Sequence, residues 1–221
     1  MPTIITGASV TSEGIVTNTL GTSNFVAGVN AGNSITSGGN YNTVVGDEAG
    51  TAITTGDSNT AVGYAALDAN TTANNNTAVG YSALTANTTG ASNVALGVSS
   101  LAANTTGAGN CALGREALNN NTTASNNTGV GLYALYANTT GASNTAVGTN
   151  SLIANTTGNS NVAVGETALD ANTTGSNNVA VGRYALTTST TGYSNVAVGY
   201  ATAYSITTGF NNTAMGESAL N

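Results

Sequence analysis

The sequence contains no histidine, no lysine and no tryptophan, and only one cysteine and one proline in 221 residues. Two arginines face nine carboxylates, for a net charge of −7. Without histidine there is no His-based triad and no histidine metal site. Without a basic patch nothing neutralises phosphates, which argues against nucleic acid and against an anionic membrane surface. No apolar run approaches the ~20 residues that cross a bilayer, so no membrane insertion is expected. Met1 to Gly7 has neither a basic n-region nor a long apolar core, so it does not read as a standard secretory signal. Cys111 has no intrachain partner and no histidine to act as its base; it reads as a small buried or half-buried side chain. The calcium-binding nonapeptide pattern G-G-x-G-x-D is absent. The expectation is a non-enzymatic protein with no catalytic residues, no metal and no cofactor.

What the chain has instead is a period. N-T-A-V-G-Y-A-A-L-D-A-N-T-T-A-N-N at Asn59 to Asn75 restarts at Asn76 and then every 17 residues to Asn212, with an earlier copy at Asn42. Asn24-Phe25-Val26-Ala27-Gly28 is one more copy, displaced by one residue, and Gly38-Gly39-Asn40 holds the slip. In that irregular stretch Gly50 replaces the usual Leu and Ile53 the usual Asn. Asn, Thr, Ser and Gly dominate, yet aliphatic residues recur in phase, which disordered tracts do not arrange. A fixed short period signals a repeat architecture.

The consensus is N-[T/V]-A-V-G-x-x-A-L-x-A-N-T-T-G-x-[S/N], numbered below as positions 1 to 17. N-[T/V]-A-V is a short strand, the glycine (Gly63, Gly80, Gly97) allows a sharp corner, and N-T-T-G combines a turn with a short extended piece. Seventeen residues are too few for a strand plus a helix but suit one coil of a β-solenoid with two or three very short parallel strands. The predicted fold is all-β: a parallel β-solenoid, or β-roll, of about 11–12 coils over residues 24–221, roughly 55 Å long at the ~4.8 Å spacing of parallel strands. Residues 1–23 form a separate cap or attachment segment, with short strands expected at Thr3-Ile4-Ile5-Thr6 and Gly14-Ile15-Val16-Thr17.

Stacking puts equivalent side chains in columns. Position 4 gives Val62, Val79, Leu96, Leu113, Val130, Val147, Val164, Val181, Val198 and Met215; position 9 gives Leu67, Leu84, Leu101, Leu118, Leu135, Leu152, Leu169 and Leu186. Both columns are expected to fill the interior. Position 3 then falls on the opposite face. It is Ala61, Ala78, Ala95, Ala112, Ala146, Ala163, Ala180 and Ala197, a candidate interface where small side chains permit close approach; the alternative is crowding inside the coil. The asparagines of position 1, among them Asn59, Asn76 and Asn93, form a turn ladder whose amides bond along the column or tie down the turn. So small a core is expected to need oligomerisation to bury more surface.

Chemistry is sparse. Asp47, Glu48, Glu116, Glu166 and Glu217 fall after the corner glycine, and Asp68 and Asp170 in a later turn. Glu116 and Glu166 are three coils apart, roughly 14 Å, too far for a paired-carboxylate mechanism. The Asn-Thr-Thr runs match a glycosylation acceptor pattern but read as turn chemistry. Exposed tyrosines near the corners offer sugar stacking, with packing between coils as the plainer reading.

The motif Asn-Val-Ala-Val-Gly at 161–165, 178–182 and 195–199 resembles the head repeats of trimeric autotransporter adhesins. The longer N-T-A-V-G-Y-x-A-L-x-A-N-T-T-G at 76–90 is similar to repeats of bacteriophage tail-fibre and tail-spike proteins. The resemblance covers residues 24–221 and implies a homotrimeric β-roll with Val162 and Val164 inside and Ala163 outside. It further implies a structural fibre on the virion, at the phage tail or capsid surface, docked to a larger assembly through residues 1–23 and contacting a host glycan or protein. No coiled-coil stalk, membrane barrel or signal is seen, which favours a short tail fibre or decoration fibre over a complete adhesin. The alternatives are a bacterial cell-surface adhesin or filament subunit, and an ice-binding solenoid using its Thr-Thr column, with Asn70, Asn87 or Asn104 as the in-face partner of the outward threonine.

Overall fold

The computed structural model describes residues 21–221, so both strands expected before Thr17 lie outside the described residues. Twelve three-residue strands follow one another: β1 Phe25–Ala27, β2 Thr43–Val45, β3 Thr60–Val62, β4 Thr77–Val79, β5 Val94–Leu96, β6 Cys111–Leu113, β7 Thr128–Val130, β8 Thr145–Val147, β9 Val162–Val164, β10 Val179–Val181, β11 Val196–Val198 and β12 Thr213–Met215. They form one parallel sheet in chain order. Thr60 pairs with Thr77 and Ala61 with Ala78, a register of one period. Only β1 departs, pairing Phe25 with Thr43. The extra residue is bracketed by Thr36, whose N–H donates to the Thr54 carbonyl, and Asn40, whose N–H donates to Asp57 Oδ1. The chain is therefore a β-solenoid, roughly 53 Å from first strand to last at ~4.8 Å per coil.

Each coil has one regular strand, where two or three were expected. The remainder is turn, yet it is also laddered: Leu67 N–H donates to the Ala83 carbonyl at 3.0 Å and Thr88 N–H to Thr105 at 2.9 Å. Those turns require left-handed backbone. Leu67, Leu84 and Leu101 sit at φ of 54°, 54° and 51°, a conformation that costs a leucine on the order of 1 kcal/mol. The coil holds it because φ > 0 at position 9 turns the side chain into the interior. At the corner, Gly80 has φ 137°, and a Cβ there would lie 2.5 Å from the carbonyl oxygen of Gly97 in the next coil. Glycine is thus required by close approach of successive coils as well as by φ.

The strand faces the opposite way from the expectation. Ala61, Ala78, Ala95, Ala112, Ala146, Ala163, Ala180 and Ala197 are completely buried inside the coil. They are core and cannot form an interface. Val62, Val79, Leu113, Val130, Val147, Val164, Val181 and Val198 are half-buried on the outer face, and Leu96 and Met215 are exposed there. The Val162–Ala163–Val164 orientation implied by the adhesin resemblance is likewise inverted. The leucine column, from Leu67 to Leu186, is fully buried.

Volume explains the inversion. A regular coil, with asparagine at position 12, has room for one large aliphatic side chain besides its alanines. Where position 9 is leucine, position 3 is alanine, or glycine at Gly129. Where position 9 is Gly32 or Gly50, position 3 is Val26 or Val44, and Ile35 or Ile53 enters from position 12. A Cβ on Gly50 would stand 2.8 Å from Ile53 Cδ1 and 3.3 Å from Val44 Cγ1, so the valine and isoleucine occupy the space that leucine takes elsewhere.

This exchange predicts that Ala146→Val overfills its coil and lowers stability by roughly 1–3 kcal/mol. Adding Leu152→Ala, which removes three carbons against the two added, should recover part of that loss. Denaturant unfolding of the two variants checks it; equal stability of the single and double variants would contradict the shared-volume account.

Candidate functional site

Two columns of asparagine amides run through the interior and hold the surface in place. At position 1, Asn59 Nδ2 donates to the Ala73 carbonyl at 2.9 Å, closing its own coil. Its Oδ1 accepts the backbone N–H of Asn76 at 3.0 Å, joining the next. Asn76 in turn accepts from Asn93 N–H at 2.9 Å. Both roles expected of this ladder, local and axial, are therefore filled by the same side chain.

A second column, at position 12, is also inside. Asn121 Nδ2 donates to Asn104 Oδ1 at 2.9 Å and to the Ala124 carbonyl at 3.0 Å, and Asn121 Oδ1 accepts from Asn138 Nδ2 at 2.8 Å. The column runs from Asn70 to Asn172. Sequence reasoning placed Asn70, Asn87 and Asn104 beside the threonines on an outer face; all three are fully buried. The signal that could have found them is the exchange with isoleucine, since an asparagine that alternates with Ile35, Ile53 and Ile206 occupies an interior position. Burial also takes these asparagines out of reach as glycan acceptors, which supports turn chemistry for the Asn-Thr-Thr runs. Above Asn172 the column reaches Ser189, too short to continue it, and Asn172 Oδ1 and Ser189 Oγ are both buried without a hydrogen-bond partner.

The threonine pair divides its work. The position-13 hydroxyls bond the next coil, as Thr88 Oγ1 donates to the Thr105 carbonyl at 3.0 Å. The position-14 threonines, such as Thr89 and Thr106, stand exposed. One outward threonine row remains on that side.

Most charged and aromatic side chains gather on the turn side of the rod, while Asp57 and the stacked pair Tyr193 and Phe210 stand beside the threonine turn. Arg115 Nε lies 3.1 Å from Glu116 Oε1, and Arg183 Nε 3.0 Å from Glu166 Oε2. Both carboxylates once considered as a pair are thus engaged by arginines. Exposed ion pairs of this kind contribute little to stability. Tyr64 stacks on Tyr81 with centroids 5.3 Å apart, Tyr133 meets Tyr136 edge-on at 5.6 Å, and Tyr184 meets Tyr200 at 6.0 Å. Arg183 lies over the Tyr184 ring at 4.5 Å. The rings cover one another between coils as well as facing outward. Among the described residues no three of Cys, Asp and Glu gather as a metal site would need.

The surface that stands out is the outer face of the sheet. Its two rows, positions 2 and 4, run Thr60 and Val62, Thr77 and Val79, Val94 and Leu96 and onward, in register over twelve strands. Val94 is 37% exposed and Leu96 48%. Cys111 lies in the same row, half-buried.

Breaking the amide column should cost far more than trimming the surface. Asn121→Ala strips buried Asn104 Oδ1 of its partner and removes one of the two bonds of Asn138 Nδ2, and should lower stability by roughly 2–4 kcal/mol. Ser189→Asn extends the column to Asn172 Oδ1 and should raise it by about 1 kcal/mol. Chemical denaturation of both variants measures the pair, and a neutral Asn121→Ala would contradict the role given to the ladder. Compared with known proteins, the chain matches no family model, no curated protein and no solved structure.

Proposed function

We propose that this chain is a non-enzymatic structural fibre protein of a tailed-bacteriophage virion, a tail fibre or decoration fibre that contacts the host surface. The observation that carries the reading is the division of labour within the repeat. The near-invariant interior positions, Asn at 1, Ala at 3, Gly at 5, Leu at 9 and Asn at 12, each build the rod. Variation is concentrated at positions 6, 7 and 10, where the described arginines, most carboxylates and most tyrosines stand on the turn side, and at position 16 beside the threonine turn, which holds Asp57, Tyr193 and Phe210. A stiff rod with an adjustable ridge suits a protein that spans distance and meets a receptor. The phage-type repeat N-T-A-V-G-Y…N-T-T-G supports the same reading. Residues 1–23 supply the attachment to a larger assembly.

The test is immunogold labelling with an antibody to the recombinant chain, applied to tailed particles and to cells from the source culture. Labelled tails or capsids are the expected result. Label confined to the cell envelope would replace this reading with the surface-adhesin alternative.

A second reading has one observation in its favour. The outer sheet face presents Thr-x-Val in register at Thr60–Val62, Thr77–Val79 and Thr145–Val147, a regular uncharged array of the kind that orders water. Ice binding by this face would appear as thermal hysteresis in a cooled solution of the protein, and normal freezing removes it.

A further inference from the structure

The outer face of the sheet is uncharged along its whole described length. From β1 to β12 its two rows carry only Phe, Thr, Val, Cys, Ala, Leu and Met. The charges of the described residues all lie elsewhere, on the turn side or, for Asp57, beside the threonine turn. Each regular coil turns one large aliphatic side chain inward, and every strand leaves two side chains outward, so much of the apolar surface remains outside.

We propose that two copies of this chain pack against each other through this face, around a two-fold axis, sheet on sheet. The pairing goes beyond the fibre reading and does not require the protein to be a virion component. Charge selects the partner's approach: two chains each carrying −7 repel through any surface that brings carboxylates together, and this face brings none. Size allows it. The face is roughly 53 Å by 10 Å, a footprint of about 500 Å² per partner before side-chain relief, at the small end of specific interfaces. In-register strands with alternating side chains are the geometry of face-to-face sheets. Symmetry fixes the number. One self-complementary face closes at two copies, whereas a ring of three with direct contacts needs two different faces on each chain. The other surfaces are the charged ridge and the hydroxyl-rich turn.

Light scattering after size exclusion, on the full chain over a concentration series, reads the outcome. The expected mass is twice 21.4 kDa. Val147→Arg with Val181→Arg, both at mid-face, should return it to a single chain, while Thr149→Arg on the ridge should leave the pair intact. Cys111 is a reporter within the same face and needs no substitution, so the result does not depend on the arginine variant folding. Its alkylation rate in the wild-type chain should fall with concentration in proportion to the remaining monomer. A wild-type monomer at all concentrations overturns the pairing, and thermal hysteresis from that monomer would give the face to ice. A mass of three chains overturns the two-fold arrangement and leaves the fibre reading standing. A pair that survives the arginine variant, or a Cys111 rate indifferent to concentration, places the contact on another surface.

Discussion

A closed coil of seventeen residues has almost no inside. That limit governs the rest of the structure. Once Leu67 or its equivalent occupies the interior, only a methyl group fits behind the strand, and Ala61 is what remains possible. Larger strand side chains are forced outward, and a solenoid that looks aliphatic in sequence becomes aliphatic on its surface. The same limit sets the backbone. Seating leucine from the turn side requires φ near +50° in coil after coil, and those left-handed residues persist because packing and the next coil's carbonyls over-determine them.

Little apolar volume also means that hydrophobic burial alone does not account for the order of the rod. Amides do much of that work. Most asparagines of position 1, Asn59 among them, tie their own corner and offer an oxygen to the next coil, so the bond closing one coil also aligns the next; Asn76 Nδ2 is the buried exception without a partner. In the low-dielectric interior such chains are strong when complete and costly when interrupted. Near the ends of the described rod the second column gives way to Ile35 and Ile53 on one side and to Ile206 on the other. There the interior is sealed with hydrocarbon.

Much of this was legible in the sequence, and the reason is the period. Seventeen-residue spacing predicted parallel in-register stacking, the Gly63 corner, the buried Leu67 column and the one-residue slip near Gly38. Strand orientation was not legible from one coil. Alternation says that Val62 and Thr60 share a face but does not say which face is inside. The deciding information lay between positions, in the exchange of Ala and Leu for Val26 with Gly32 and Val44 with Gly50. The Asn70 column was misplaced for a related reason. Asparagine beside threonine suggests an exposed turn, and only its replacement by isoleucine in other coils marks it as interior. The outer sheet face came to notice only after the inversion, since a valine assigned to the core is not considered as surface.

The irregular first coil carries a wider lesson. One residue more than the period is absorbed between Thr36 and Asn40, and the ladders on either side keep their partners. The corner before position 15 therefore decouples contour length from axial alignment. It is the natural graft point of the rod, where a loop or a whole module inserted between two coils would project sideways while the neighbouring coils continued to stack.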